Sequence, residues 1–271
     1  MFDGFYGGVS EHRVTAIAGG VAYFALLALP PFLTAIVALY GLIGDPATVV
    51  SYVKQFEIFL PGGAINILED QLRRLTGQAP ARLGLAFAAG VAVSIWSSNA
   101  GMKALFDALN VVYGVKEQRG IVRLNLTSLA FTAGAIAFMT LSLLLVAVLP
   151  RALQWIAASD SVKEFVSLLR WPVLFAALLL GLSLVYRWGP YRPKAQWHWI
   201  TVGSFTACLI WTLGSVVFSW YVANFGNYNR TYGSLGAVIG FMTWLWLSSL
   251  VILAGAELDA VMERLDRGRA S

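Results

Sequence analysis

Uncharged stretches recur along the chain at lengths that match a bilayer. Residues 14–44, 83–102, 124–150, 171–186, 197–223 and 233–256 hold no Asp, Glu, Lys or Arg. A helix rises about 1.5 Å per residue and the hydrocarbon layer is about 30 Å thick, so a run of roughly 20 apolar residues crosses it. The pattern predicts an all-α, polytopic membrane protein with six transmembrane helices in one membrane domain, 1–271. The fourth run, 171–186, is short for a crossing and requires little tilt or a thinned bilayer. Between the first and second spans, residues 45–82 break the pattern. Charges return, Pro61-Gly62-Gly63 punctuates, and Leu68, Leu72 and Leu75 recur at helical spacing beside Glu69, Asp70, Arg73 and Arg74. This predicts an amphipathic helical insertion that either lies on the membrane surface or caps the bundle.

Smaller signals sit inside the spans. Pro30-Pro31 falls near the middle of the first, where two missing N–H donors predict a kink or a break. Gly19 and Gly20 in the first span, and the Gly236–Gly240 pair opening the sixth, offer small faces for close helix packing. After the second span, Leu105, Leu109 and Val112 continue an apolar stripe while Lys103 and Asp107, one turn apart, are placed to pair.

Composition sharpens the class. Of 271 residues 58% are hydrophobic and only 12% charged, which excludes an ordinary soluble globular protein. The net charge of +5 is the excess a membrane protein acquires by anchoring loops to anionic lipid, and it does not call for nucleic acid. With six spans both termini share a side. That side carries 11 of the Lys and Arg residues and the opposite side 8, so both termini are expected in the cytoplasm. The N-terminal segment lacks the basic region and small-residue cleavage site of a signal peptide. One cysteine, Cys208, allows no disulfide, and His12 and His198 stand far apart in sequence with no metal-ligand spacing. No cofactor and no enzymatic centre are expected. His198, between Trp197 and Trp199, reads as an interfacial hydrogen-bonding residue.

The candidate chemistry lies at span ends. Arg230 is the one cation between Lys194 and Arg264, and Asn227, Tyr228, Asn229 and Tyr232 surround it just before the sixth helix. Hydrogen-bond donors, a guanidinium and a helix N-terminus together suit an anion such as a lipid phosphate. The same turn serves equally as a plain headgroup anchor. Asn99, ending the polar run Ser97-Ser98-Asn99, and Asn110 are further lipid-binding candidates. Glu257, where the sixth span returns to water, either faces the solvent or turns inward to pair with a cation such as Arg123 or Lys116. The pattern N-x-x-Y-G occurs at Asn110–Gly114 and again at Asn229–Gly233, a short match that also arises by chance.

Four segments carry a resemblance over nearly the whole chain: AYFALLALPPFL in the first span, WSSNAGMKALFDALNVVYGVKEQRG after the second, FSWYVANFGNYNRTYGSLGAVIGFMTWLW at the sixth, and AGAELDA at its end. Together they resemble the BrkB/YihY family of bacterial inner-membrane proteins, once labelled ribonuclease BN. The resemblance implies a multi-pass protein of the inner membrane, with links to virulence, serum resistance and lipid handling. Membrane lipids, and an anionic lipid or other amphipathic substrate, are the implied partners. Asp259 departs from the family pattern, which places Asn after GAEL. The residues support a transporter-like or lipid-handling protein over a nuclease, with a structural partner in the cell envelope as the alternative.

Overall fold

A computed structural model describes residues 2–40, 53, 60, 62–76, 85–155, 160–192, 200–225 and 235–270. Among them are eight helices: α1 (Phe2–Glu11), α2 (Val14–Tyr40), α3 (Gly62–Thr76), α4 (Leu85–Val112), α5 (Ile121–Trp155), α6 (Asp160–Trp188), α7 (Val202–Phe225) and α8 (Leu235–Ala270). The protein is all-α and polytopic. Five stretches, Val14–Tyr40, Ile121–Val146, Glu164–Trp188, Val202–Val222 and Val238–Leu265, are long and apolar enough to cross a membrane. The 28-residue α4 has the length to do so as well, although its start adjoins residues outside the described set. Large apolar side chains such as Val93, Leu141, Leu168 and Val217 are exposed on the bundle, as lipid-facing residues of a membrane protein are.

Several expectations are corrected. The fourth span is not short: α6 begins eleven residues before Trp171, and its apolar stretch starts at Glu164. The charge just before the apolar run does not end the helix: Arg170 Nη1 donates to the Val146 carbonyl, and its guanidinium stands 5.1 Å from the Trp171 ring centroid. Pro30-Pro31 does not break α2, which stays helical through both. Thr34 Oγ1 donates to the Pro30 carbonyl, and Leu33, Ala35, Ile36, Val37 and Tyr40 beyond the prolines are all buried, so packing outweighs two forfeited backbone bonds.

The close-packing glycines are also elsewhere than expected. Among the described residues, nothing lies within 4 Å of a Cβ placed on Gly20 or Gly240, and one on Gly19 meets Trp246 at 4.0 Å. The intimate crossing is between α7 and α8. A Cβ on Gly203 would lie 2.1 Å from the Gly255 carbonyl oxygen, and one on Gly255 would lie 2.6 Å from Ala207 Cβ. Gly101 plays the same part on α4, where a Cβ would meet Ala28 Cβ of α2 at 3.3 Å. The α2–α4 pair is the most extensive helix contact in the protein.

Two apolar clusters fill the bundle. One joins the C-terminal half of α2 to Ile136 and Leu143 of α5 and to Ile65, Leu68 and Leu72 of α3. Leu72 is 1% exposed, so the insertion's apolar face caps the bundle, with Arg73 outward and 4.0 Å from Glu69. The rest of 45–82 lies outside the described residues, apart from Val53 and Leu60. The other cluster, Val14, Ala18, Ala108, Leu109, Val112, Tyr186, Leu253 and Ala256, sits at the end of the bundle that holds both chain termini.

Candidate functional site

That end is where charge collects. The α4 helix stops there in a C-terminal turn dictated by Gly114. Its φ is +64°, the Gly114 N–H bonds the Val111 carbonyl, and the Val115 N–H reaches back to Asn110 O at 2.9 Å. This is the double bond of a glycine-terminated helix, and it explains the first of the two N-x-x-Y-G matches. The reversal sends residues 115–120 under the bundle and delivers Arg119 to its centre.

Arg119 is the hub of the connection. Its guanidinium grips Glu117 through Nε and Nη2, donates to the backbone carbonyls of Trp188 and Gly189, and stands 5.5 Å from the Phe106 ring centroid. Glu117 is held at about 2, chiefly by the hydrogen bond from Arg119, against the opposing effect of burial. Asn110 completes the knot. Its Nδ2 donates to Glu117 Oε2, and its Oδ1 accepts the Tyr191 N–H at 2.8 Å. A two-sided side chain of this kind ties the end of α4 to the turn after α6.

Beyond that turn, Arg192 bonds Glu263 of α8 and the Tyr186 carbonyl, with its guanidinium 3.7 Å from the Tyr113 ring centroid. Burial pushes the Tyr113 hydroxyl well above its ordinary range, and among the described residues that hydroxyl has no hydrogen-bond partner. The Tyr186 hydroxyl donates to the Ile252 carbonyl at the α7–α8 crossing. Asp259 is buried and accepts from Thr201 Oγ1 and from Gly203 N. An acid on α8 therefore caps the N-terminus of α7, where unsatisfied N–H groups and the helix dipole favour a negative charge.

Glu257 turns inward, and its partner is His12 rather than Arg123 or Lys116. His12 Nδ1 lies 2.8 Å from Glu257 Oε2, with the acid 0% and the imidazole 16% exposed. The acid's other oxygen, Oε1, is buried without a hydrogen-bond partner among the described residues. The reason is α1, a helix that the hydrophobic pattern did not bring out. Gly4, Gly8 and His12 stand four apart and share one face of the N-terminal segment. A Cβ on Gly4 would lie 3.7 Å from Val261, and one on Gly8 would lie 2.0 Å from Glu257 Oε1. Thus α1 runs antiparallel along α8, and a larger residue at position 8 would displace the carboxylate. Arg13, at φ 51°, turns the corner into α2 in the left-handed region that non-glycine residues rarely enter.

The remaining candidates divide. Asn99 is buried deep between α4 and α5, where its Oδ1 accepts from Thr132 Oγ1 at 3.0 Å. It stands eleven residues before Asn110, about 16 Å along the helix, so it belongs to the bundle interior and not to the charged end. Asn227, Tyr228, Arg230 and Tyr232, the second N-x-x-Y-G match and His198 lie outside the described residues. Lys103 and Asp107 form no ion pair; Lys103 stands 6.0 Å from the Trp96 ring instead. Among the described residues no three His, Cys, Asp or Glu converge as a metal site.

A family model described as "Virulence factor BrkB" matches residues 5–271. The ribonuclease-like protein YfkH of Bacillus subtilis is 31% identical over 93% of this chain and 91% of its own. A UPF0761 membrane protein of Vibrio vulnificus is 26% identical over 96% of this chain and 82% of its own. A UPF0761 membrane protein of Azoarcus is 27% identical over 93% of this chain, which spans 61% of that relative. No solved structure matches.

Proposed function

This chain belongs to the virulence factor BrkB family, and from that premise we propose a transporter-like protein of the bacterial inner membrane that handles lipids or other anionic amphipathic molecules. In this reading it has six spans, counting α4, and both termini face the cytoplasm. The observation that carries it is an uncharged polar seam inside the bundle. Ser94, Ser98 and Asn99 of α4 and Ser128 and Thr132 of α5 are all buried, with Asn99 and Thr132 bonded across the interface. A charged side chain at bilayer depth costs roughly 2.5–3.5 kcal/mol on insertion scales, whereas a hydroxyl satisfies itself on its own helix. Thr132 and Ser98 do this, bonding the carbonyls of Ser128 and Ile95. Such groups can exchange a backbone partner for a lipid headgroup without exposing a charge. The seam gives an amphipathic molecule polar contacts through the apolar layer.

The name of the Bacillus relative raises nuclease chemistry, which needs a metal cluster or a positioned acid and base to activate water. The charged groups at the terminal end are instead spent on one another and on helix ends. Their closure supports a second reading, a structural partner in the cell envelope without transport. Liposomes separate the two. Purified protein reconstituted with a fluorescent anionic phospholipid should speed its passage between leaflets, read by quenching from outside, and Asn99→Leu should slow it. Passage equal to that of protein-free liposomes refutes the transport reading and favours the structural one.

A further inference from the structure

We propose that Lys103 and Trp96 of α4 form the docking site for the headgroup of an anionic phospholipid, at the lipid-facing mouth of the polar seam. The inference rests on the reading of that seam as a polar route, and it names the place of entry and the chemical class that enters.

Helical geometry puts the pair at the rim. Each residue turns the helix by about 100°, so Trp96 and Lys103 are both rotated roughly 40–60° from Asn99, in the same sense. Asn99 faces Thr132 of α5 inside the bundle. Trp96 is 61% exposed and Val93, one turn before it, 64%, so the rotation leads out to the lipid-facing side. Depth follows from the same contact. The two helices run antiparallel through their short connection, which sets Lys103, one turn after Asn99, level with Ser128, one turn before Thr132. Ser128 lies seven residues, about 10 Å, inside the apolar stretch of α5 that begins at Ile121. The Lys103 ammonium does not turn back toward the charged end and its water. It stands 6.0 Å from the Trp96 ring, seven residues nearer the start of α4.

An ammonium at that depth is costly, and one directed inward marks a place where an anion is received. Among the described residues no carboxylate pairs with Lys103. Asp107, one turn nearer the charged end, is exposed. The seam also holds an acceptor to spare. Asn125, Ser128 and Thr132 share one face of α5, and Asn125 Oδ1 is buried without a hydrogen-bond partner among the described residues. A cation, an indole face and an unspent acceptor fit a phosphodiester whose headgroup bears a hydroxyl and no cation of its own. Its phosphate takes the Lys103 ammonium in a charge-assisted bond, and its acyl chains lie along Val93 and Trp96. A free phosphate has no such chains, and it would come from the water side, past Asp107.

Native mass spectrometry of the full chain, released from mixed micelles, tests the site. Phosphatidylglycerol and phosphatidylethanolamine with matched acyl chains are supplied in equal amounts. The unmodified protein should retain phosphatidylglycerol preferentially. Lys103→Gln should lower that preference roughly tenfold, as the loss of one charge-assisted bond implies, and Lys103→Arg should keep it. Lys116→Gln, which removes an exposed cation from the connection, should leave it unchanged. Equal retention of the two lipids, a preference that survives in Lys103→Gln, an equal loss in Lys116→Gln, or displacement of the lipid by excess inorganic phosphate overturns the proposal. The liposome assay answers separately. Passage by a protein whose Lys103→Gln variant keeps the preference rejects this site alone, whereas a Lys103-dependent preference without passage rejects the route and leaves the docking site.

Discussion

Gly255→Ala tests the packing logic of the bundle with the smallest possible change. The new methyl would stand 2.6 Å from Ala207 Cβ, 2.7 Å from the Gly203 carbonyl oxygen and 2.7 Å from the Tyr186 hydroxyl. Carbon atoms are comfortable at about 3.5–4.0 Å, so α7 and α8 must part by about 1 Å. Overpacking of this kind costs about 1–3 kcal/mol, and displacing Tyr186 from the Ile252 carbonyl adds about 1 kcal/mol. Against this, alanine is better than glycine in a helix interior by about 0.8–1 kcal/mol. The net expectation is a loss of about 1–3 kcal/mol. Gly240→Ala, where no atom of the described residues lies within 4 Å of the new Cβ, keeps only the favourable term and should gain up to about 1 kcal/mol. Reversible unfolding in mixed micelles, followed by circular dichroism, compares the two. The opposite signs are the point: if Gly255→Ala is as stable as Gly240→Ala, the α7–α8 contact is not as close as described, and the reasoning fails.

Other outcomes are equally definite. Arg119→Met should destabilise by about 1–3 kcal/mol, since it strips a half-buried acid and two backbone carbonyls of their donor, and the same unfolding titration reads it. Glu117 has its carboxyl lowered in the folded state, so its stabilisation is complete above the ordinary carboxylate range and disappears as pH falls from about 4.5 through about 2. Glu117→Gln should flatten that acid limb of the stability profile. Gln118→Cys, at an exposed position on the charged connection, should react with an impermeant maleimide only after the cells are opened; labelling of intact cells would invert the proposed topology.

The long apolar runs announced the spans because crossing a bilayer demands an uninterrupted stretch that few other structures need. Their ends were less legible. Charged residues before Trp171 belong to the same helix as the apolar run, since the hydrocarbon boundary and not the helix boundary excludes charge. At Gly240 no neighbour arrives among the described residues, because a small face permits contact but does not say which neighbour meets it; the close approach falls to Gly203 and Gly255, separated by 52 positions in sequence. Glu257 is ambiguous in the sequence, and its partner is hidden there because His12 precedes the first apolar run. The clue was the four-residue spacing of Gly4, Gly8 and His12, which becomes meaningful only once a helix is drawn there. Asp259 looked like an added charge at a helix exit, and its capping of α7 depends on a contact 56 residues away that no local pattern encodes.

The docking of the first helix against the last also sets an order of assembly. His12 and Glu257 are separated by 245 positions, and synthesis proceeds at about 5–20 residues per second, so α1 leaves the ribosome roughly 12–50 s before its partner acid exists. During that interval every other span can enter the bilayer while α1 has nothing to close upon. Final closure of this end thus becomes a completion check: a chain that stops short of α8 leaves α1 undocked.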